Sequence, residues 1–137
     1  MIKSKKLLEI LEDSLNKKEI LQKDLEKIED LSLNKKNLNG LENDIELKEL
    51  EYFTNVKTLT IANFKINKEI INIINKQRNL CAIQFSKCEF EDIVPINKNI
   101  KYIIIDKCKN FNLGLLNDNE IIRIIDEEIE LSSLTKI

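Results

Sequence analysis

The sequence predicts an α/β protein in which short parallel strands alternate with helices and turns in a repeating solenoid. An apolar residue is followed by apolar residues three and five positions later, and then by a turn, in frames that begin at Ile28, Val56, Leu80 and Ile100. These frames start 28, 24 and 20 residues apart, which is close to the spacing of repeats that each contain one strand. Because a single repeat cannot cover its own inward side chains, neighbouring repeats must stack to bury them.

The same frames predict the strands and the core. Strands are expected at about residues 29–33, 57–61, 81–85 and 101–105. Their inward side chains should be buried between neighbouring repeats, and these are Leu59, Ile61, Ile83, Phe85, Ile103 and Ile105. A fifth, weaker frame starts at Ile121, continues with Ile124 and has Asp126 at its third apolar position.

The frames resemble the leucine-rich repeat family, whose pattern is L-x-x-L-x-L-x-x-(N/C)-x-L. The third repeat, residues 80–90, matches every position when Phe is accepted for Leu, and the fourth has Cys108 at the ninth position. That position is Phe64 in the second repeat and Lys36 in the first. Over roughly residues 25–134, the resemblance implies a leucine-rich-repeat solenoid with a parallel β-sheet on the concave face and helices and turns on the convex face.

Residues 1–25 are predicted to form an N-terminal helical cap, and residues 26–137 about five repeats of the same single domain. Ser4 is a suitable N-cap for a first helix, whose apolar face consists of Leu7, Leu8, Leu11 and Leu15. A second short helix is expected over Lys18 to Lys23. The side chains expected to point inward in this segment are Ile20, Leu21 and Leu25. A cap is needed because an open terminal repeat exposes its strand edge and its apolar layer. Alternatively, the first amphipathic helix binds a partner or a membrane.

The connections between strands are predicted to become shorter along the chain. Helical spacing is present in Leu41 to Phe53 and in Lys68 to Lys76, and the buried stripe of the latter is Ile70, Ile71 and Ile74. The connections at Glu91 to Asn97 and Leu113 to Asn119 are too short for a full helix, and Pro95 disfavours one in the first of them.

Composition argues against several classes of function. Lys and Arg number 22 and Asp and Glu 24, so the net charge of -2 gives no electrostatic reason to bind nucleic acid. Histidine is absent, which removes the commonest general base and metal ligand, and two glycines leave no Gly-rich phosphate loop. We therefore expect no enzyme activity, no catalytic residues, no cofactor and no metal. The densest carboxylate group is interpreted as solvated, and it consists of Asp126, Glu127, Glu128 and Glu130.

The expected location is the cytoplasm. The first eight residues are followed by Glu9, which is too early a charge for the apolar core of a signal peptide. No stretch approaches the ~20 uninterrupted apolar residues of a membrane span, so no membrane association is expected.

Two of the three cysteines, Cys88 and Cys108, occupy the ninth positions of adjacent repeats, where side chains turn inward. The resemblance gives this position to an Asn or Cys that supports the turn. We interpret both as buried, reduced thiols, with a disulfide between them and a metal site as the alternatives. Cys81 lies outside this column and is expected to be at least partly exposed.

Strand residues that do not point into the core should form three columns on the other face of the sheet. The central column is Ser32, Thr60, Gln84, Ile104 and Ile125. The flanking columns are Asp30, Thr58, Ala82, Tyr102 and Arg123, and Asn34, Ala62, Ser86, Asp106 and Glu127. The last third of this face combines an aromatic residue and isoleucines with charges, as protein interfaces do. The predicted partner-binding residues are Tyr102, Ile104, Arg123, Ile125, Gln84 and Asp106.

Two alternatives apply to these residues: the tail Leu131 to Ile137 covers the isoleucines, or the register of the last repeat is in error. An adjacent column, Lys35, Asn63, Lys87, Lys107 and Glu128, offers a lysine edge that an acidic protein or a phosphate backbone could contact. The expected function is binding of another protein without catalysis, as an inhibitor or immunity protein that neutralises a toxin or enzyme. The alternative is a structural or adaptor subunit that self-associates through Ile104 and Ile125.

Overall fold

The computed structural model describes residues 2–38 and 47–125. In these ranges the chain is a mixed α/β protein with a five-stranded parallel sheet and a second sheet of two short strands. The strands are β1 Asp30–Asn34, β2 Thr58–Ala62, β3 Lys65–Ile66, β4 Ala82–Ser86, β5 Glu89–Phe90, β6 Tyr102–Asp106 and β7 Ile121–Ile125. The α-helices are α1 Lys5–Leu15, α2 Gln22–Leu25, α3 Lys35–Leu38 and α4 Lys68–Asn75. Single 3₁₀ helices cover Leu47–Tyr52 and Leu113–Leu115.

The large sheet has the strand order β1-β2-β4-β6-β7, so its strands lie side by side in the order of the sequence. All four pairings are parallel, and the first residue of each strand is opposite the first residue of the next. The four strands expected from the repeat frames are confirmed, each beginning and ending one residue later than predicted. The predicted parallel pairing is also confirmed.

The core follows from the alternation of side chains along each strand. In the first four strands of the large sheet, the second and fourth residues are buried and the others are at least partly accessible. All six predicted core residues are therefore buried as expected, and they are Leu59, Ile61, Ile83, Phe85, Ile103 and Ile105. Behind them, the ring of Phe90 packs edge to face between Phe85 and Phe111, with centroid separations of 5.0 Å and 6.3 Å.

The last strand corrects the sequence prediction by two residues. The prediction gave Ile121 the first apolar position of the frame, whereas the structure pairs Ile121 with Tyr102 inside the sheet. The first position therefore belongs to Asn119, which is 6% exposed. Its side-chain nitrogen donates to the carbonyl oxygens of Ile100 and Asn97, at 2.7 Å and 3.1 Å. A polar residue at a position that is apolar in the other repeats explains why the apolar pattern misplaced the frame.

The first predicted helix of the N-terminal segment is confirmed. The hydroxyl oxygen of Ser4 accepts a hydrogen bond from the backbone N–H of Leu7 at 3.2 Å, so Ser4 is the N-cap of α1. At the other end, Asn16 has the left-handed backbone conformation that ends a helix, with φ of 53°. The inward face of α1 has Leu7 and Leu11 buried, and Leu8 and Leu15 partly buried against the core.

The second helix, α2, begins at Gln22 rather than at Lys18. Ile20 and Leu25 are buried as predicted, but the prediction for Leu21 is wrong, because this side chain is 41% exposed. Leu21 has an extended backbone at the N-cap, where its N–H donates to the Asp24 carboxylate at 2.8 Å. An extended residue does not follow the helical spacing from which the inward direction was inferred.

The connections between strands agree with the prediction where they are described. Helix α4 buries Ile70, Ile71 and Ile74, and the Asn67 side chain caps it by accepting from the N–H of Ile70 at 3.0 Å. Of the predicted Leu41 to Phe53 helix, the described part is the 3₁₀ helix from Leu47, and residues 41–46 lie outside the described residues. Residues 91–97 contain no helix, and the connection before β7 has a single 3₁₀ turn.

Candidate binding surface on the outer face of the sheet

The outer face of the large sheet is the side opposite the core, and its amino-terminal part is polar. The hydroxyl of Thr58 donates to the carboxylate of Asp30 at 2.6 Å, across β1 and β2. The side-chain nitrogen of Asn63 donates to the side-chain oxygen of Asn34 at 2.9 Å in the same direction. Short polar side chains that are already paired leave this part of the face without an apolar surface.

The six predicted partner-binding residues all lie on the outer face, at its carboxyl-terminal part. They are Gln84 on β4, Tyr102, Ile104 and Asp106 on β6, and Arg123 and Ile125 on β7. Ile104 is flanked by Gln84 on one side and by Arg123 on the other. The side chain of Gln84 is also tied to its own strand, because its nitrogen donates to the hydroxyl of Ser86 at 2.9 Å.

The arrangement within this group differs from the predicted columns. Ile125 was expected beside Ile104, but it lies beside Asp106, and Arg123 occupies the central column instead. Ile121 completes the group beside Tyr102, although the sequence frame had given it the first apolar position of the last repeat. Glu127, predicted for a flanking column, lies outside the described residues. The signal that identifies Ile121 is the shift of the frame to Asn119, which places Ile121 opposite Tyr102 and Arg123 opposite Ile104.

We define the outer patch as Tyr102, Ile104, Ile121, Arg123 and Ile125. Three of its apolar side chains are strongly accessible to water: Tyr102 is 39%, Ile121 54% and Ile125 40% exposed. They lie on adjacent strands around the charged Arg123, with Asp106 at the margin. Exposed apolar side chains that adjoin one another, bordered by charge, are typical of surfaces that bind another protein.

Two cysteines occupy equivalent buried positions just after β4 and β6. The thiol of Cys88 donates to the carbonyl oxygen of Ile61 at 3.3 Å, and that of Cys108 donates to the carbonyl oxygen of Phe85 at 3.2 Å. Each thiol therefore bonds to the backbone of the preceding strand of the large sheet. The predicted burial of both is confirmed, Cys81 is half-buried as expected, and all three are free thiols.

The neighbouring Cys88 side chain raises the pKa of the Cys108 thiol above its ordinary value, and burial raises this pKa further. A thiolate is the form that attacks thiol reagents and binds metals. Cys108 is therefore suited to packing and to backbone support. Within the described part of the chain, no group of three or more His, Cys, Asp or Glu side chains could hold a metal ion.

The lysine edge is set by the backbone at the ends of the strands. Asn63, Lys87 and Lys107 each follow a strand and have positive φ of 65°, 52° and 54°. The N–H of Lys87 donates to the carbonyl oxygen of Asp106 at 2.8 Å, and that of Lys107 to Ile125 at 3.1 Å. These left-handed turns place two exposed lysines at corresponding points of adjacent strands, while Glu128 lies outside the described residues.

Comparison of the chain with models of protein families and with curated proteins finds no match. No helix in residues 2–38 and 47–125 is long and apolar enough to cross a membrane. The predicted carboxylate group at residues 126–130 lies outside these ranges. The fold and the outer patch therefore supply the argument for function.

Proposed function

We propose that this chain is a non-catalytic scaffold of the leucine-rich repeat type that binds another protein through the outer face of its sheet. Two features support the repeat architecture. The strands follow one another in sequence order with matched registers, as stacked repeats require. In addition, Cys88 and Cys108 lie at the ninth position of the repeat pattern and bond to the preceding strand. In this architecture the outer face is the concave face of a solenoid.

The observation that carries the binding proposal is the exposure of Tyr102, Ile121 and Ile125 together on this face. Leaving apolar area in water costs roughly 25 cal/mol per Å², so a partner that covers it gains affinity. Aromatic anchors near the centre of an interface commonly contribute most of the binding energy. Arg123, within the patch, and Asp106, at its margin, would then select a partner of complementary charge.

The narrower proposal is an inhibitor or immunity protein that neutralises a toxin or enzyme in the cytoplasm. A non-catalytic scaffold of this kind acts by occupying its partner's surface. Covering an active site or a substrate-binding face in this way abolishes the partner's activity without chemistry. The apolar outer patch is suited to such tight masking because its centre would be desolvated on binding.

A second candidate function is self-association as a structural or adaptor subunit. It is favoured by the position of Ile121 and Ile125 on β7, which is an edge strand of the large sheet among the described residues. Apolar side chains on an edge strand promote contact with another copy of the chain. A mass that increases with protein concentration in sedimentation measurements would favour this candidate over the inhibitor.

The test uses the protein to capture its partner from the native host, followed by affinity measurements on the identified complex. Tyr102→Ala or Ile104→Asp should weaken binding by roughly 2 kcal/mol or more, about 30-fold in Kd, while the variants remain folded. Lys68→Ala and Asn72→Ala are the controls, because both side chains are exposed on α4, away from the sheet face. Unchanged binding by folded Ile104→Asp would contradict the proposal and direct attention to Lys87 and Lys107.

A further inference from the structure

A groove separates the first helix from the first strand at the amino-terminal end of the sheet. Its volume is about 400 Å³, and its apolar lining consists of Leu7, Ile10, Leu11 and Leu15 from α1, Ile28 from the segment before β1, and Leu31 and Leu33 from β1. Ile10 is an exposed side chain on the helix side of the groove. The groove is therefore open to water and combines these apolar side chains with polar ones, at the opposite end of the sheet from the outer patch.

The strand that forms one wall of this groove, β1, is the first strand of the large sheet in the described ranges. Among residues 2–38 and 47–125, β1 pairs with β2 and with no other strand. The carbonyl oxygen of Glu29 accepts from the N–H groups of Lys57 and Thr58, at 2.6 Å and 3.1 Å, so Glu29 faces β2. Because successive residues of a strand face opposite edges, Leu31 and Leu33 also direct their backbone groups towards β2.

The backbone groups of Asp30, Ser32 and Asn34 therefore face the free edge of β1, towards the groove. Within the described residues, no backbone hydrogen bond joins these three to a strand on that side. At this edge Asp30 and Ser32 each offer an N–H donor and a carbonyl acceptor, and Asn34 offers its N–H, because the Asn34 carbonyl begins the bonding of α3. The strand is five residues long, roughly 17 Å. Groups in this pattern are satisfied by an extended polypeptide, which is the basis of strand addition.

We propose that this groove binds an extended segment of a partner protein, which adds to β1 as an additional strand. Side chains of the added strand alternate between two faces, so every second one enters the groove beside Leu7, Leu11 and Leu33. These should be apolar, whereas the intervening side chains lie beside Asp30 and Ser32 on the outer face. At the amino-terminal end of the groove the Glu29 carboxylate is already paired with the Lys57 ammonium group at 2.7 Å. The Asp30 carboxylate accepts from the neutral Thr58 hydroxyl, so a Lys or Arg at that end of the added strand complements the charge of Asp30.

The binding measurement uses a capped synthetic heptapeptide, Thr-Val-Lys-Val-Thr-Val-Thr, and the complete chain. Ser32→Pro removes the N–H at the centre of the free edge and leaves the bonds from Leu31 and Leu33 to β2, so peptide affinity should fall about tenfold or more. Ser32→Ala keeps that N–H and should bind like the parent. Ile10→Asp places a charge in the groove and should abolish binding, whereas Asp13→Ala, exposed on α1 and absent from the groove lining, should not.

Two N-methylated versions of the peptide give an independent criterion. One carries methyl groups on the Val amides and the other on the intervening amides, so each blocks donors on one edge of the added strand. Strand addition requires that one version loses binding and the other retains it, and the one that fails reports whether the strand is parallel or antiparallel. Equal affinity of both versions would overturn the proposal.

Amide hydrogen exchange identifies the occupant of the edge. The amides of Asp30, Ser32 and Asn34 should exchange rapidly in the free protein and become protected when the peptide binds. Protection of these amides in the free monomer would overturn the proposal, because the edge would already be occupied. Protection that rises with protein concentration together with a doubled mass would overturn it in favour of a second copy of the chain. The absence of protection at about 1 mM peptide would also overturn it. Ile104→Asp should leave peptide binding unchanged, which separates this site from the outer patch.

Discussion

The side-chain nitrogen of Asn119 donates a hydrogen bond to the carbonyl oxygen of Ile100 at a distance of 2.7 Å. These two residues occupy equivalent positions, each two residues before a strand of the large sheet. Asn119 also donates to the carbonyl oxygen of Asn97 at 3.1 Å and accepts from the N–H of Asn117 at 2.8 Å. One amide thus replaces an apolar core residue and joins the connection before β7 to the chain segment that leads into β6.

Removal of this amide should destabilise the protein more than its size suggests. We expect Asn119→Ala to lower the free energy of unfolding by about 1–3 kcal/mol, because the buried carbonyl oxygen of Ile100 loses its donor. Denaturant unfolding followed by circular dichroism measures the difference. Asn117→Ala is the matched control, since that side chain is exposed, and it should be nearly neutral. Equal stability of the two variants would contradict the structural role of Asn119.

The three cysteines should differ in their reaction with a thiol reagent. Cys81 should react first in the native protein, because it is half-buried, whereas Cys88 and Cys108 are buried and donate to backbone oxygens. A Cys81→Ser variant should lose the fast phase and keep two thiols that react after denaturation. Three equal rates, or stoichiometric zinc in freshly purified protein, would be incompatible with this assignment.

Acid should weaken the N-terminal segment through Asp24, which is buried and bonded twice. Its carboxylate accepts from the ammonium group of Lys17 at 2.6 Å and from the N–H of Leu21 at 2.8 Å, and these bonds, in that order, hold its pKa below the ordinary value. A carboxyl with a lowered folded-state pKa stabilises the fold fully above its unfolded pKa, about 3.9, and loses this contribution as pH falls through the folded value.

We therefore expect Asp24→Asn to be less stable than the parent at neutral pH and to lose less stability between neutral pH and strongly acidic pH. Lys17→Ala should reproduce part of this change, because the bond from Leu21 remains. Thermal unfolding across this range of pH gives the comparison. Parallel stability curves for Asp24→Asn and the parent would show that Asp24 does not contribute to the acid response.

The repeat frames were sufficient to predict the first four strands and their buried residues. Pairs such as Leu59 and Ile61 are separated by one outward residue, and this alternation recurs after a turn in each repeat, so two periodicities agree. The membership of the outer patch was also predicted in large part. Tyr102 and Ile104 follow directly from the frame that begins at Ile100, because outward positions are fixed once the inward ones are known.

Features that depend on a single polar group or on distant parts of the chain were not predicted. The register of β7 depends on Asn119, whose burial is made possible by hydrogen bonds that a hydrophobic pattern does not contain. The exposure of Leu21 depends on the cap formed by Asp24. The groove depends on the distance between α1 and β1, which neither the helix nor the strand determines alone.

The strand order of the large sheet also bears on how the chain folds. Partner strands begin at residues 30, 58, 82, 102 and 121, so successive pairings close segments of 28, 24, 20 and 19 residues. The entropic free-energy cost of closing the longest segment exceeds that of closing the shortest by only about 0.3 kcal/mol. No pairing in the large sheet has to wait for a distant part of the chain. We therefore expect that assembly can begin at any adjacent pair and spread in both directions, at a rate governed by local closures.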